Sequence, residues 1–589
     1  MTDRPTTTLT QHAMLVIWGA FAQKIGLIAS LKKVKIGQRK REHSPQSKLI
    51  EFLVAILAGC EYLQDISHGA HPLDQDQAVA EAWGQPDWAD YSGVSRTLKA
   101  CSSATVNEIE QVLQAVSQPF IDQEVTLALQ SQGVLVYDGD LTGRPVSNTS
   151  TSYPGVAFGW MSDEVKLGFQ VALVSLHSPT YGRLWLGGQH HPGDVVSNSQ
   201  AQTLVQLAEA KTGVRPTRRS DLLQQRLAVQ QQLYQAAQAK HDQAIAKVAR
   251  LGELGPELKT QEQAWQNQVD QLSEAYTRQG KAVKPYSQLS KARDKVRVYQ
   301  QRQERHHGKL IAAQQGVERE GQRVQALQQA RTMLTQRLAQ FEADNRANSS
   351  PVRAIIRLDA GFGSAENIAL LIELGYEVYS KPTNWQVTSQ LRQQVEATTA
   401  WNRVGQNAEM LAWANQTLPH CPYPLDLALE RFYTGETLRH STLLHYDPVT
   451  LDLVGWFTFY NGRQTIEAGI KEEKGVFHLK HLFVQSESRL LIQTLFDLFL
   501  ANFVRWAAHW LHQASAHPTS SLTQAPPKVK ELVRIAANTS AWVIKHHQSY
   551  RLEFTDLSAY PGLELVVPTN WTYQLPLKLF SCKSANFSP

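Results

Sequence analysis

The chain has 589 residues, 42% of them hydrophobic and 19% charged, with a formal net charge of +5. Those proportions describe an ordinary globular protein, and the length calls for roughly two to four domains rather than one small core. The four cysteines, Cys60, Cys101, Cys421 and Cys582, lie far apart without a C-x-x-C pair, which argues against a zinc knuckle or a disulfide framework and fits a reducing cytosol.

The opening MTDRPTTTLTQ lacks the charged-then-apolar order of a signal peptide. Residues 1–125 read as mostly helical. Within them LKKVKIGQRKRE (31–42) carries six cations, Lys32, Lys33, Lys35, Arg39, Lys40 and Arg41, against one acid. An apolar helix, 48–63, follows, then a turn near Asp90-Tyr91-Ser92-Gly93 and a helix from about Ser95. Short helices beside a basic segment suit a helix-turn-helix-like DNA-binding region; a plain helical bundle with a solvated basic loop would carry the same pattern.

From 133 to 188 the pattern turns to strands: GVLVYDGD, then KLGFQVALVSLHS (166–178) and GRLWLGG (182–188), with a helix near 197–212. Residues 218–346 change again. They are rich in Gln, Ala, Lys and Arg, and mostly apolar residues, interrupted by Gln230, His241, Glu320 and Arg331, recur at alternating spacings of three and four from 223 to 251 and from 310 to 341, the mark of a coiled-coil seam. Gly252, Gly255 and Pro256 should interrupt the first arm, and Gly280 and Pro285 mark the tip of an antiparallel hairpin. This segment holds 22 basic and 13 acidic residues. Its distal part is the most basic and includes Lys291, Arg293, Lys295 and Arg297. Segregated positive charge favours contact with phosphates, whereas a merely solvated coiled coil usually mixes its signs.

Strand chemistry resumes in VRAIIRLDAGFGS (352–364), followed by a helix (364–375) and a strand (376–381), a β-α-β step. LDLALERFYTG (425–435) and STLLHYDP (441–448) are strand-like. WFTFYNGRQTIEAGIKEEKG (456–475) begins like a buried strand and ends like a charged helix. On a helix Glu467 and Lys474 would lie about 40° and 20° around the axis from Arg463, with Tyr460 about 60° away. The apolar stretch 484–513 contains Asp497, Asn502 and Arg505 and reads as a buried amphipathic helix, not a membrane span. A further helical segment (528–545) and short strands complete the chain.

Two apolar strands end in acids, at Asp140 and at Asp359. Asp before Gly is ordinary turn chemistry, so each alone fits a cap. Two such strands with a Glu-bearing helix form a more specific pattern, since three carboxylates suffice for two Mg²⁺ ions about 3.5–4 Å apart that activate an attacking hydroxyl and stabilise a leaving oxygen. Asp138, two residues before Asp140, would share its strand face and is either a rival ligand or a neighbour of the site.

Here the chain resembles a family. The spacing Tyr460-x2-Arg463-x3-Glu467-x6-Lys474 matches the Y-R-E-K signature of DDE transposases of the insertion sequence 4 type, and Asp140-Leu141-Thr142 and the strand-end Asp359 match the settings of their two aspartates. The resemblance covers about 130 to 515. It implies an α/β fold with an RNase H-like catalytic core, a helical N-terminal DNA-binding region and an inserted coiled-coil hairpin. The corresponding divisions are 1–125 (N-terminal region), 130–215 (first part of the core), 216–348 (basic hairpin), 350–381 (second part), 382–450 (small strand-containing insertion), 451–515 (catalytic helices) and 516–589 (C-terminal region).

The resemblance also implies roles. Asp140, Asp359 and Glu467 would bind two Mg²⁺ ions, with Mn²⁺ able to substitute, and Tyr460, Arg463 and Lys474 would contact DNA phosphates beside the scissile bond. The implied activity is cleavage at terminal inverted repeats and transfer of the 3′-hydroxyl ends to target DNA. The implied partners are double-stranded DNA and a second copy of the chain, with no membrane and no nucleotide cofactor, in a prokaryotic cytoplasm at the nucleoid. A catalytically silent DNA-binding descendant and a nuclease of the same fold are the alternatives. Family members often carry a β-rich insert between the second Asp and the Glu; here that gap leaves room only for a modest one. Trp385, Trp401 and Trp456 stand in the part of the chain where some relatives stack a flipped base, although core packing explains such residues more simply. Gly469, inside the catalytic helix, should weaken it by about 1 kcal/mol relative to Ala.

Overall fold

In the computed structural model the described residues are 6–161, 163–446, 452–477, 479, 487–514, 529, 530, 533, 539–546 and 549–555. They divide into two compact units, Arg218–Ser349 and the remainder of the chain.

The larger unit starts with strand β1 (Thr6–Thr10) and helices α1 (Ala13–Lys24), α2 (Leu27–Leu31), α3 (Pro45–Leu57), α4 (Asp65–His68), α5 (Gln77–Ala82), α6 (Tyr91–Ala100) and α7 (Ser103–Gln132). The caps follow local chemistry. Ser44 accepts from Ser47 N ahead of Pro45, and Asp90 accepts from Gly93 N, so the expected turn at 90–93 is the N-cap and first turn of α6. Helix α3 stops at Leu57, short of the expected 63. Helix α7 runs unbroken across the expected division between 125 and 130, so no boundary falls there.

The N-terminal helices do not form a separate domain either. They share one apolar core with α15 (Glu487–Ala514): Phe120 stacks on Trp506 at 4.3 Å, and Phe21 lies 5.2 Å from Trp510. Helix α15 has the length and apolarity to cross a membrane, but 83% of its most apolar window is buried inside the protein.

The central sheet contains β2 (Leu135–Pro145), β3 (Ala157–Met161), β4 (Glu164–Ser178), β5 (Gly182–Pro192), β6 (Ala354–Arg357), β7 (Glu377–Ser380), β8 (Asn402–Arg403), β9 (Ala408–Gln416), β10 (Leu425–Thr434) and β11 (Thr437–Tyr446). Strand β2 is antiparallel to β4 and parallel to β6, which is parallel to β7. Beyond β7 the antiparallel run β11-β10-β9-β8 extends the same sheet. The stretch expected to hold a modest insertion therefore widens the core sheet, with α12 (Trp385–Gln393) leading into it. Helices α8 (Ala201–Thr212) and α11 (Ala365–Glu373) complete the α/β part.

Two segments take the other secondary structure. WFTFY is helical: α13 (Leu453–Asn461) and α14 (Gln464–Val476) meet at Gly462-Arg463, where the Arg357 guanidinium leaves no room for a Cβ on Gly462. Residues 541–545, expected to be helical, fall in strand β12 (Ala541–His546) between β1 and β13 (Ser549–Phe554). The partner that makes β12 a strand lies at the opposite end of the sequence. Most of the C-terminal region 516–589 lies outside the described residues.

The smaller unit is an antiparallel hairpin of α9 (Ser220–Arg278) and α10 (Gln288–Ala347). Arg218 and Asp344 pair across its base at 3.2 Å. Gly280 (φ +59°) and Tyr286 (φ +65°) turn the chain at the tip. The seam residues Leu223, Ala237, Val269, Leu289, Ala292, Val296, Ala313, Leu334 and Phe341 are buried. Contrary to expectation, α9 continues through Gly252, Gly255 and Pro256. His306 of the other arm fits over Gly255 and donates from Nε2 to the Leu251 carbonyl at 2.7 Å, supporting the turn before the proline.

Candidate active site

Strand β2 outruns its parallel neighbour: its pairing with β6 ends at Asp138–Arg357. Asp140 therefore sits inside a longer strand, where β6 has stopped, and not at a strand end as the sequence suggested. Asp359 follows β6 by two residues and caps a short 3-10 turn, accepting from Gly361 N at 2.9 Å. Glu467 lies in the first turn of α14. Three segments remote in sequence thus bring Asp140, Asp359 and Glu467 to the same end of the parallel strands.

Arg463 ties them together. Its Nη1 is 3.4 Å from Asp140 Oδ2 and its Nη2 is 2.5 Å from Glu467 Oε1. Burial and the neighbouring Asp359 push the Asp140 carboxyl up to about 6, with Glu467 adding and Arg463 opposing. Burial likewise raises Asp359 against the pull of Arg463. Burial lowers the Lys474 ammonium pKa while the charge of Asp140 raises it.

Tyr460 is drawn against the segment that bears Asp359. It is buried, and its hydroxyl donates to the Leu358 carbonyl at 3.2 Å, immediately before Asp359. It positions the Asp359 turn. Asp138 is engaged by Arg357, whose Nε and Nη2 donate to its two oxygens at 2.6 and 2.8 Å in a buried pair. It is held away from the carboxylate group by that pairing.

The sequence reading missed Lys381, the residue after β7. Its ammonium lies 5.6 Å from the Tyr460 ring centroid. Burial lowers its pKa, Glu430 opposes this, and Glu467 and Asp359 also act on it. The available signal was a lysine ending the strand beside the Asp359 strand. Of the tryptophans, Trp456 is core, Trp401 carries the Arg431 guanidinium 4.1 Å from its ring, and Trp385 is 72% exposed, so packing does not explain Trp385.

The N-terminal cations Lys32, Lys33, Lys35, Arg39, Lys40 and Arg41 are all exposed, on an irregular loop between α2 and α3. Helix α3 is buried along almost its whole length and presents no face to a DNA groove. Helix α6, which follows the Asp90 cap, keeps Arg96 and Lys99 exposed. Lys291, Arg293, Lys295 and Arg297 are exposed on α10.

Among the described residues no three of His, Cys, Asp or Glu form a ready-made metal group, and the Arg463 guanidinium stands between Asp140 and Glu467. The donor chemistry nonetheless fits a hard divalent ion. The donors are carboxylate oxygens, and a buried Asp140 with acidic neighbours gains from any added positive charge. No protein-family model matches the chain, and no curated protein matches it.

Proposed function

We propose that the chain is a DNA transposase with an RNase H-like core, acting at the ends of its element by metal-dependent cleavage and strand transfer. The observation that carries this reading is the convergence of Asp140, Asp359 and Glu467 with Arg463 and Lys474 at one end of the parallel strands. The strand order β5-β4-β2-β6-β7, with an antiparallel hairpin leading into parallel strands, supports the RNase H-like reading. So does the Y-R-E-K spacing.

In this reading Asp140, Asp359 and Glu467 hold Mg²⁺, which when bound supplies Lewis-acid activation of the attacking oxygen and charge neutralisation at the phosphate. Arg463 opposes the rise that burial imposes on Asp140 and Asp359 and holds Asp140 and Glu467 near one another. It exchanges its contact with Asp140 for the backbone of the bound strand. Lys474 and Lys381 neutralise phosphate charge, and Tyr460 fixes the turn that bears Asp359. A dimer holds the two ends together.

The test uses the purified chain, Mg²⁺ or Mn²⁺, and DNA carrying the flanking inverted repeats. Cleavage and joining that vanish in Asp140→Ala, Asp359→Ala and Glu467→Ala are expected. Binding without cleavage would instead identify a silent descendant, and cutting without joining a nuclease.

A further inference from the structure

The hairpin unit carries a charge pattern that the consecutive run 291–297 conceals. At about 100° per residue, Lys291, Lys295, Arg302, Arg305 and Lys309 fall within roughly 80° of one another around α10. They span 18 residue steps, or roughly 27 Å at 1.5 Å per residue. All five are exposed. Lys291, Lys295, Arg305 and Lys309 have no ion-pair partner among the described residues, and Arg302 lies over the Tyr299 ring at 5.1 Å. By the same arithmetic Arg293 and Arg297 point to the opposite flank, and Arg297 reaches Asp294, which borders the stripe, at 3.1 Å.

The other arm is unlike this one. Facing the same length of hairpin, α9 bears Glu253, Glu257, Glu262, Asp270 and Glu274 against Lys259. The seam between the arms is filled by Val269, Leu289, Ala292 and Val296, backed by Trp265, Leu272 and Tyr276. That packing fixes the rotation of α10 about its axis where Lys291 and Lys295 emerge. A solvated coiled coil would distribute its signs over both arms. Lys281 and Lys284 carry the positive charge on to the tip, where Tyr286 is 86% exposed.

We propose that this face of α10 is a rail for duplex DNA, contacting the sugar–phosphate backbone without reading sequence. A straight row of cations about 27 Å long matches most of one turn of duplex, and the row presents lysine and arginine ends with no base-reading Asn or Gln set among them. The rail is independent of the carboxylate site and stands or falls separately from the proposed chemistry.

Two charge-matched pairs in the full chain test it: Lys295→Gln/Arg305→Gln on the stripe and Arg293→Gln/Arg297→Gln on the flank. Gln preserves helix propensity, and far-UV circular dichroism verifies that the rod remains folded. Affinity for a duplex of arbitrary sequence, about 40 bp long, is measured between about 50 and 200 mM NaCl. The stripe pair should make the slope of log K against log salt shallower by about two, and the flank pair should leave it nearly unchanged. Equal effects of the two pairs would reduce the result to net charge and overturn the rail. No effect from either would overturn it as well, as would a stripe-dependent loss seen only with single-stranded RNA or an acidic protein. A stripe-dependent slope in a chain that never cleaves end DNA would leave the rail standing and refute the proposed chemistry.

Discussion

The guanidinium of Arg183 lies where a Cβ on Gly469 would have to go. Arg183, from β5, donates to the Thr465 carbonyl in the first turns of α14, is 3.6 Å from Glu472, and lies 5.0 Å from the Trp185 ring. Arg505 of α15 pairs with the same Glu472 at 2.5 Å. The rear of the helix bearing Glu467 is thereby fastened to the sheet and to α15. Gly469→Ala should gain about 1 kcal/mol of helix propensity. It should lose about 1–3 kcal/mol because Arg183 is buried and cannot move without breaking these contacts. Net destabilisation is expected in chemical denaturation. The double variant Gly469→Ala/Arg183→Ala should be markedly less destabilised than the sum of the two single variants. Simple additivity would show that the two residues do not compete for the same space.

Asp138 and Arg357 give a prediction of opposite character to Asp140. Removing one partner of a fully buried ion pair leaves the other charge stranded. Asp138→Ala should therefore cost about 3–5 kcal/mol of stability. Asp140→Ala should cost little stability or even gain some, because it relieves a carboxyl that burial and Asp359 hold up near 6. Thermal melts of the two variants separate these cases, and a destabilisation by Asp140→Ala as large as that of Asp138→Ala would contradict the assignment.

Much of this was legible in the sequence, for identifiable reasons. The hairpin declared itself because its seam repeats over many turns. Asp359 was visible because an acid interrupts an apolar strand where the chain turns. Trp456–Tyr460 misled because a short aromatic, apolar run has no period long enough to separate a strand from a buried helix. Strand β9 was missed because its outward residues, Glu409, Trp413 and Asn415 among them, dilute the apolar alternation. The hydroxyl partner of Tyr460, the carbonyl of Leu358, and the reason for Gly469 could not be read at all. Both depend on contacts between segments remote in the chain, with side chains whose reach no spacing encodes.

The N-terminal bundle should show a distinctive pH dependence. Burial pushes the Glu51 carboxyl up to about 9; only one of its oxygens is bonded, accepting from Ala89 N at 3.0 Å. Glu473 and Asp497 are also raised, mainly by burial. A carboxyl whose folded-state pKa exceeds its unfolded value contributes stability that is complete below the unfolded value, 4.5 for Glu51, and is lost as pH rises toward about 9. Stability should accordingly fall across that window. Glu51→Gln keeps the acceptor for Ala89 N and cannot ionise, so its melting temperature should fall less steeply between those limits. Identical slopes for the variant and the parent would show that Glu51 is not protonated in the folded chain.

Lys381 offers the sharpest test of the site as a whole, because the signature spacing does not include it. Its ammonium is held over the Tyr460 ring by burial, with Glu430, Glu467 and Asp359 around it. In the proposed reaction it supplies positive charge to the phosphate beside Arg463. Lys381→Met preserves the packing over Tyr460 and removes the charge. Its cleavage rate at saturating DNA should fall by about 10²-fold, the scale expected for one preorganised electrostatic contact at a reacting phosphate. Duplex affinity should change much less, because the remaining cations still hold the backbone. Lys381→Arg should recover part of the rate. If Lys381→Met weakened DNA binding and left the saturated rate intact, the residue would belong to the docking surface and not to the reacting centre. The cationic side of the site would then rest on Arg463 and Lys474 alone.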